Sequence, residues 1–198
     1  MGRPHFDRTD FLNAARELAV AHGPAAVTVG SVTARLKAPT GSFYYRFGSR
    51  DLLLGELWLD IVLGYQADFF AAFESGGGLA AALHTVDWSR KHLDEACLLL
   101  LYNRRDFVQG DWPQSLRNSV ADHARRYEEA LPRHAREILG ATDPDAQRRA
   151  RFVLMDVPLA AVKPHLQRRE PPPPVTDELV RATYQAVVGG ADKSGVRF

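Results

Sequence analysis

The chain has 198 residues, 25 Lys and Arg against 24 Asp and Glu, a formal net charge of +1, and 45% hydrophobic residues. That length supports one domain or two small ones with a real core, and the composition excludes disorder over most of the chain. The longest strictly apolar run, Ala96 to Tyr102, falls far short of the roughly 20 residues of a membrane helix. A lone cysteine, Cys97, excludes an internal disulfide and most cysteine-based metal sites. The start of the chain lacks the basic-then-apolar pattern of a signal peptide. The expected location is the cytoplasm, with no membrane partner.

The apolar spacing predicts an all-α protein. Phe11, Ala15, Leu18 and Ala19 make one face of a first helix, stopped at His22-Gly23-Pro24. Thr28 is a good N-cap for a second helix carrying Val29, Val32 and Leu36. A third runs from about Pro39 to Phe47, with Phe43 and Phe47 one turn apart as core and Gly48 closing it. Ser49 caps a long fourth helix, with Leu53, Leu54, Leu57, Trp58, Ile61, Val62, Tyr65, Phe69 and Phe73 on a wide stripe, ended by the glycines at 76–78. Further helical segments are predicted at about 79–94, 96–108, 113–139, 145–167 and 175–189. Gly110, Pro113, Gly140, Pro144 and the run Pro171 to Pro174 separate most of them.

Charge divides along the chain. Residues 1–50 carry seven basic and three acidic side chains, a net +4, and residues 51–198 a net −3. A small basic head on a slightly acidic body suits a polyanion-binding module on a neutral scaffold. The domain division expected is 1–50 and 51–198.

Three short helices in about fifty residues, the last two joined by a tight turn, form a helix-turn-helix pattern. Such a third helix enters the major groove and turns its N-terminal residues toward base edges. Here these are Thr40, Gly41, Ser42, Tyr44 and Tyr45. Gly41 lets the backbone approach closely, and the two hydroxyls suit phosphates or base edges. Of the adjacent tyrosines, one is expected to pack inward and the other to reach a phosphate.

Residues 7–58 resemble the DNA-binding region of the tetracycline-repressor (TetR) family of transcriptional regulators. The resemblance lies in Phe11 to Leu18, Gly23, Thr28-Val29 and above all Thr40-Gly41-Ser42-Phe43-Tyr44-Tyr45-Arg46-Phe47-Gly48-Ser49-Arg50-Asp51-Leu52-Leu53. It implies that Thr28 meets a phosphate, that Thr40 and Ser42 meet the major groove, and that Tyr44, Tyr45 and Arg50 contact the DNA. Arg3 would serve from an N-terminal arm. Lys37 stands where the inter-helix turn usually has Gly, and either takes up that turn or contacts a phosphate. Pro39 replaces a Ser or Thr cap. Thr40 replaces a frequent cation, and Arg46 restores the charge.

The resemblance further implies a body that dimerises and binds an effector. The segments at 145–167 and 175–189 are the implied interface, with Val153, Leu154, Val157, Ala161, Leu179, Tyr184, Val187 and Val188 as its apolar face or as internal core. Trp58, Phe69, Trp88, Tyr102 and Trp112 suit a ligand cavity or the core. Asp156, in an apolar stretch, needs a partner or a raised pKa: it anchors a cationic ligand, pairs with an arginine across a dimer, or sits at a break made by Pro158. Cys97 reads as a buried thiol, with a redox sensor as the alternative. His84, Asp87 and His92 read as a solvated face, and no metal or cofactor is expected.

The expected function is therefore a ligand-responsive regulator, a repressor, binding a pseudo-palindromic operator on double-stranded DNA as a homodimer and released by a small-molecule effector. An alternative is a helical small-molecule-binding protein whose head no longer reads DNA. No phosphate-cradling glycine loop, nucleophile elbow or metal-ligand spacing points to an enzyme.

Overall fold

A computed structural model of the chain describes residues 6–102, 104–107 and 112–191. Arg3 and Gly110 lie outside the described residues. Those described are mostly helical with no strand among them. The helices are α1 (Arg8–His22), α2 (Val29–Leu36), α3 (Thr40–Phe47), α4 (Arg50–Lys91), α5 (Leu93–Leu101), α6 (Arg104–Phe107), α7 (Gln114–Leu139), α8 (Pro144–Arg151), α9 (Val157–Gln167) and α10 (Val175–Ala191). The chain divides into two compact units, Met1–Val62 with Cys97–Val120, and Leu63–Ala96 with Ala121–Phe198. No described helix is long and apolar enough to cross a membrane.

In the first unit, local chemistry sets the helix ends. Asp7 caps α1: its carboxylate accepts from the Asp10 N–H at 2.9 Å, and the Asp10 carboxylate accepts from the Asp7 N–H at 2.8 Å. Thr28 caps α2 in the same reciprocal way with Ser31. Gly48, at φ 70°, closes α3 in a backbone region that suits glycine. The core is a trio of fully buried rings. Phe11 meets Phe43 and Phe47 edge-on at 5.8 and 6.0 Å between centroids. Leu53, Leu54 and Leu57 from the start of α4 are also buried, so this unit extends past the helix-turn-helix. Leu18 is only half-buried; Ala14, Ala15 and Ala19 line the inner face of α1 instead. Trp112, Leu116 and Val120 form a second cluster with Leu52, Trp58 and Leu59.

In the second unit, the glycines at 76–78 do not end the long helix in a loop, as their composition predicts. Helix continues on both sides of one non-helical residue, Gly77 (φ 68°, ψ −166°). Gly78 is buried against the Tyr184 hydroxyl and Ile138, where any Cβ would collide. The predicted 145–167 helix is likewise interrupted. Pro158 has no N–H to offer the ladder, and just before it the Val157 N–H reaches back to the Phe152 carbonyl, making a π turn over Phe152–Asp156. Arg90 fastens the proline run: its guanidinium donates to the carbonyls of Pro172 and Pro173 at 2.7 and 3.0 Å and pairs with Asp177. That pairing raises the Arg90 pKa further.

Candidate nucleic-acid interface

The recognition candidate is α3. Phe43 and Phe47 point into the core and fix its rotation. The opposite face then follows from the helical period, and it carries Thr40, Gly41, Tyr44 and Tyr45, all exposed, with Ser42 half-exposed beside them. Neither tyrosine packs inward. Tyr44 is 54% exposed, with its ring edge-on to Phe43, and Tyr45 is 88% exposed. Large rings held in water on a rigid helix are available for a partner.

Lys37 adopts the left-handed turn itself, at φ 54° and ψ 34°. Its exposed side chain stands between α2 and α3. Arg46 lies back along α3, donating to the Ser42 carbonyl at 3.1 Å, with its guanidinium 5.8 Å from the centre of the Tyr45 ring. The Thr28 hydroxyl is used in capping α2, where it accepts from the Ser31 N–H at 3.0 Å. Arg50 is held by the protein. It donates to the carbonyls of Val27 and Pro24 and pairs with Asp51, so its fork binds the turn before α2 to the start of α4.

Much of the head's positive charge is taken up in the same way. Arg8 pairs with Glu56, Arg16 with Asp60 at 2.8 Å, and Arg35 with Glu17. Counting charge up to residue 50 misses this, because Asp51, Glu56 and Asp60 come from α4 yet fold onto the head.

The residues predicted to line a ligand site are divided between the two units. Trp58 and Trp112 pack together at 6.4 Å in the first unit, and Tyr102 lies against Gly23 and Phe107 there. Phe69 and Trp88 belong to the second unit. Asp156 is no buried anchor: its carboxylate is 52% exposed and sits 3.7 Å from Arg151, because the π turn rotates it to the surface. Cys97 is buried.

The second unit holds a polar interior that sequence reading missed. Phe69 is its hub, with the rings of Tyr127, His84 and His134 at 5.9, 6.2 and 6.2 Å. Tyr65 lies tilted against His84 at 5.2 Å, meets Trp88 edge-on at 5.1 Å and shares a 2.7 Å hydrogen bond with Thr85. Burial pushes the Tyr65 hydroxyl up to about 12, against the pull of Thr85. Burial also raises Tyr127 and lowers His84 and His123, and it takes His134, next to Arg133, down to about 4. The signal lay in α7, where His123, Tyr127 and His134 recur on one helical face.

Of the predicted interface residues, Val153 and Leu154 are closed off within the chain, at 1% and 0% exposure. They therefore belong to its own core. Val157, Ala161, Tyr184, Val187 and Val188 are half-buried, and Leu179 is exposed. Phe152 and Val175, not singled out from the sequence, are exposed too.

Residues 11–57 match the model of the bacterial regulatory proteins of the tetR family, so the chain carries that family's N-terminal helix-turn-helix domain. No curated protein matches the chain. Solved structures match nearly all of it. A tetR family transcription regulator from Shewanella sp. PV-4 is 16% identical with a TM-score of 0.68, covering 94% of this chain and 98% of that one. The ketosteroid transcriptional regulator KstR2 of Mycobacterium tuberculosis is 17% identical with a TM-score of 0.64, covering 96% of each. A TetR-like transcriptional regulator from Rhodococcus sp. RHA1 is 15% identical with a TM-score of 0.68, covering 96% of this chain and 100% of that one. The fold is that of TetR-family transcription regulators.

Proposed function

We propose, from a tetR-family helix-turn-helix on a regulator fold, that this chain is a cytoplasmic ligand-responsive repressor, not an enzyme, that binds a pseudo-palindromic operator as a homodimer. The observation that carries the reading is α3: a helix fixed by Phe43 and Phe47 that turns Thr40, Gly41, Tyr44 and Tyr45 outward together. Thr40, Ser42 and Gly41 approach base edges in the major groove. Tyr44 and Tyr45 reach phosphate or base, and Lys37, Arg46 and the N-terminal end of α2 at Thr28 contact the backbone. Arg50 acts by holding α2 in place. Arg3 supplies an arm.

The exposed apolar residues Phe152, Val175 and Leu179, with half-buried Val187 beside Phe152, support a two-fold interface on the last helices. Such a dimer sets two α3 helices about 34–36 Å apart, one turn of DNA. The effector site favoured here is the aromatic and histidine-rich interior of the second unit. Effector and DNA then weaken each other's binding by linkage.

The test is fluorescence anisotropy with DNA flanking the chain's own gene, across a range of salt. Specific, saturable binding to a palindromic segment is expected. Binding that never exceeds that to random DNA, at any salt, sinks the reading.

A further inference from the structure

We infer that the effector is an uncharged ring compound bearing both hydroxyl and carbonyl oxygens, bound among α4 and α7 around Phe69. This rests on the proposed effector site and names its ligand class.

Among the described residues of the second unit, His84 Nε2, Ser89 Oγ, His123 Nδ1, Tyr127 Oη and His134 Nε2 are buried without a hydrogen-bond partner. Proteins rarely leave such groups unmatched, since each forfeits its hydration with no return. Here several gather around one ring. His84, Tyr127 and His134 all surround Phe69, and Ser89 and His123 each lie one helical turn along from Thr85 and Tyr127.

Their chemistry defines the complement. The Tyr127 and Ser89 hydroxyls donate, so the ligand needs acceptors, which carbonyl oxygens supply. Tyr65 engages the His84 ring through its backbone, leaving the bare Nε2 to accept from a ligand hydroxyl. Flat walls from Phe69, Trp88 and the Phe73–His134 stack, whose ring centres are 3.9 Å apart, select a ring. The charged groups that influence these side chains, Asp68, Asp87, Lys91, Arg126, Arg133, Arg151 and Asp156, are all exposed. A carboxylate or ammonium ligand would thus be desolvated without a counter-charge inside.

The probes are naringenin, a neutral hydroxylated aromatic ketone, sodium dodecanoate and the cationic dye rhodamine 6G, titrated by calorimetry into the full-length protein at pH 7. Naringenin is expected to bind at least tenfold tighter than the other two. Tyr127→Phe, which deletes one oxygen, and His134→Phe, which keeps the stack on Phe73, are each expected to weaken naringenin tenfold or more. Both are expected to raise the melting temperature of the ligand-free protein by about 2–4 °C, because an unmatched polar atom is removed. A purely structural role would lower it. Tighter binding of dodecanoate or rhodamine, no naringenin binding, or variants that melt lower and leave naringenin affinity unchanged overturn the ligand class. If naringenin binds as expected but leaves a specific operator complex intact, the class stands and the regulatory coupling fails.

Discussion

Arg8 and Glu56 form an ion pair, and the same guanidinium donates to the carbonyl of Arg46 in the last turn of α3. Positive charge on Arg8 is thus engaged inside the head, and the Arg16–Asp60 and Arg35–Glu17 pairs repeat the pattern. Among the described residues, Lys37 and Arg46 remain as the cations beside the recognition face, and the proposed arm adds Arg3. Two such heads offer about six phosphate contacts, so log K for the operator should fall with log[salt] at a slope of about −5. A slope steeper than about −7 would show that the paired arginines open up to reach the DNA.

Tyr45 and Phe47 sit two residues apart on α3 with opposite surroundings. Tyr45→Ala should leave stability within about 0.5 kcal/mol of the parent while weakening operator binding by about 1–3 kcal/mol. Phe47→Ala should cost about 3–5 kcal/mol of stability. Thermal melts paired with anisotropy separate the two effects. Equal stability losses at both positions would contradict the orientation of α3.

Arg50 is read as a clasp between the turn before α2 and the start of α4. Arg50→Ala should cost about 1–3 kcal/mol, since two part-buried carbonyls lose their donor. Arg50→Lys should recover little, because an ammonium cannot fork between Val27 and Pro24. The salt slope of operator binding should not change. A slope shallower by about one unit in Arg50→Ala would instead make it a phosphate contact.

His134 carries a pKa lowered to about 4 in the fold, against the usual 6.5. Above pH 6.5 the group is neutral in both states and contributes nothing to the pH dependence. As pH falls below 6.5 the unfolded chain takes up a proton that the native state refuses. Stability should therefore fall with acidification, by at most about 1.4 kcal/mol per pH unit from this group, until pH nears 4. His84 and His123 are shifted the same way. Urea midpoints at pH 7.5, 6 and 5 follow this directly, and His134→Phe should flatten the curve. A midpoint that rises on acidification would rule the account out.

Phe152 is 45% exposed and Leu179 61% exposed. The paired change Phe152→Glu with Leu179→Glu should turn a dimer into a monomer in sedimentation and abolish cooperative operator binding, with little loss of helix. If the variant sediments as the parent does, the dimer face lies elsewhere.

The helix-turn-helix was legible in the sequence because its signals are local. Thr28 caps, Gly48 stops, and Phe43 and Phe47 one turn apart fix which side of α3 faces out. The run from Thr40 to Leu53 was enough to carry the family resemblance. The body gave up its helices by the same periodicity but not its interior. Trp58, Phe69, Trp88, Tyr102 and Trp112 all look alike as large apolar residues, and only packing assigns Trp58, Tyr102 and Trp112 to the first unit and Phe69 and Trp88 to the second. Asp156 looked buried because its neighbours in sequence are apolar, yet the π turn before Pro158 turns it out to Arg151. The head's charge looked available because Glu56 and Asp60 lie beyond residue 50. Capping and periodicity act over a few residues, so sequence determines them; which polar atoms end up paired depends on groups far apart in the chain, and only the tertiary structure decides that.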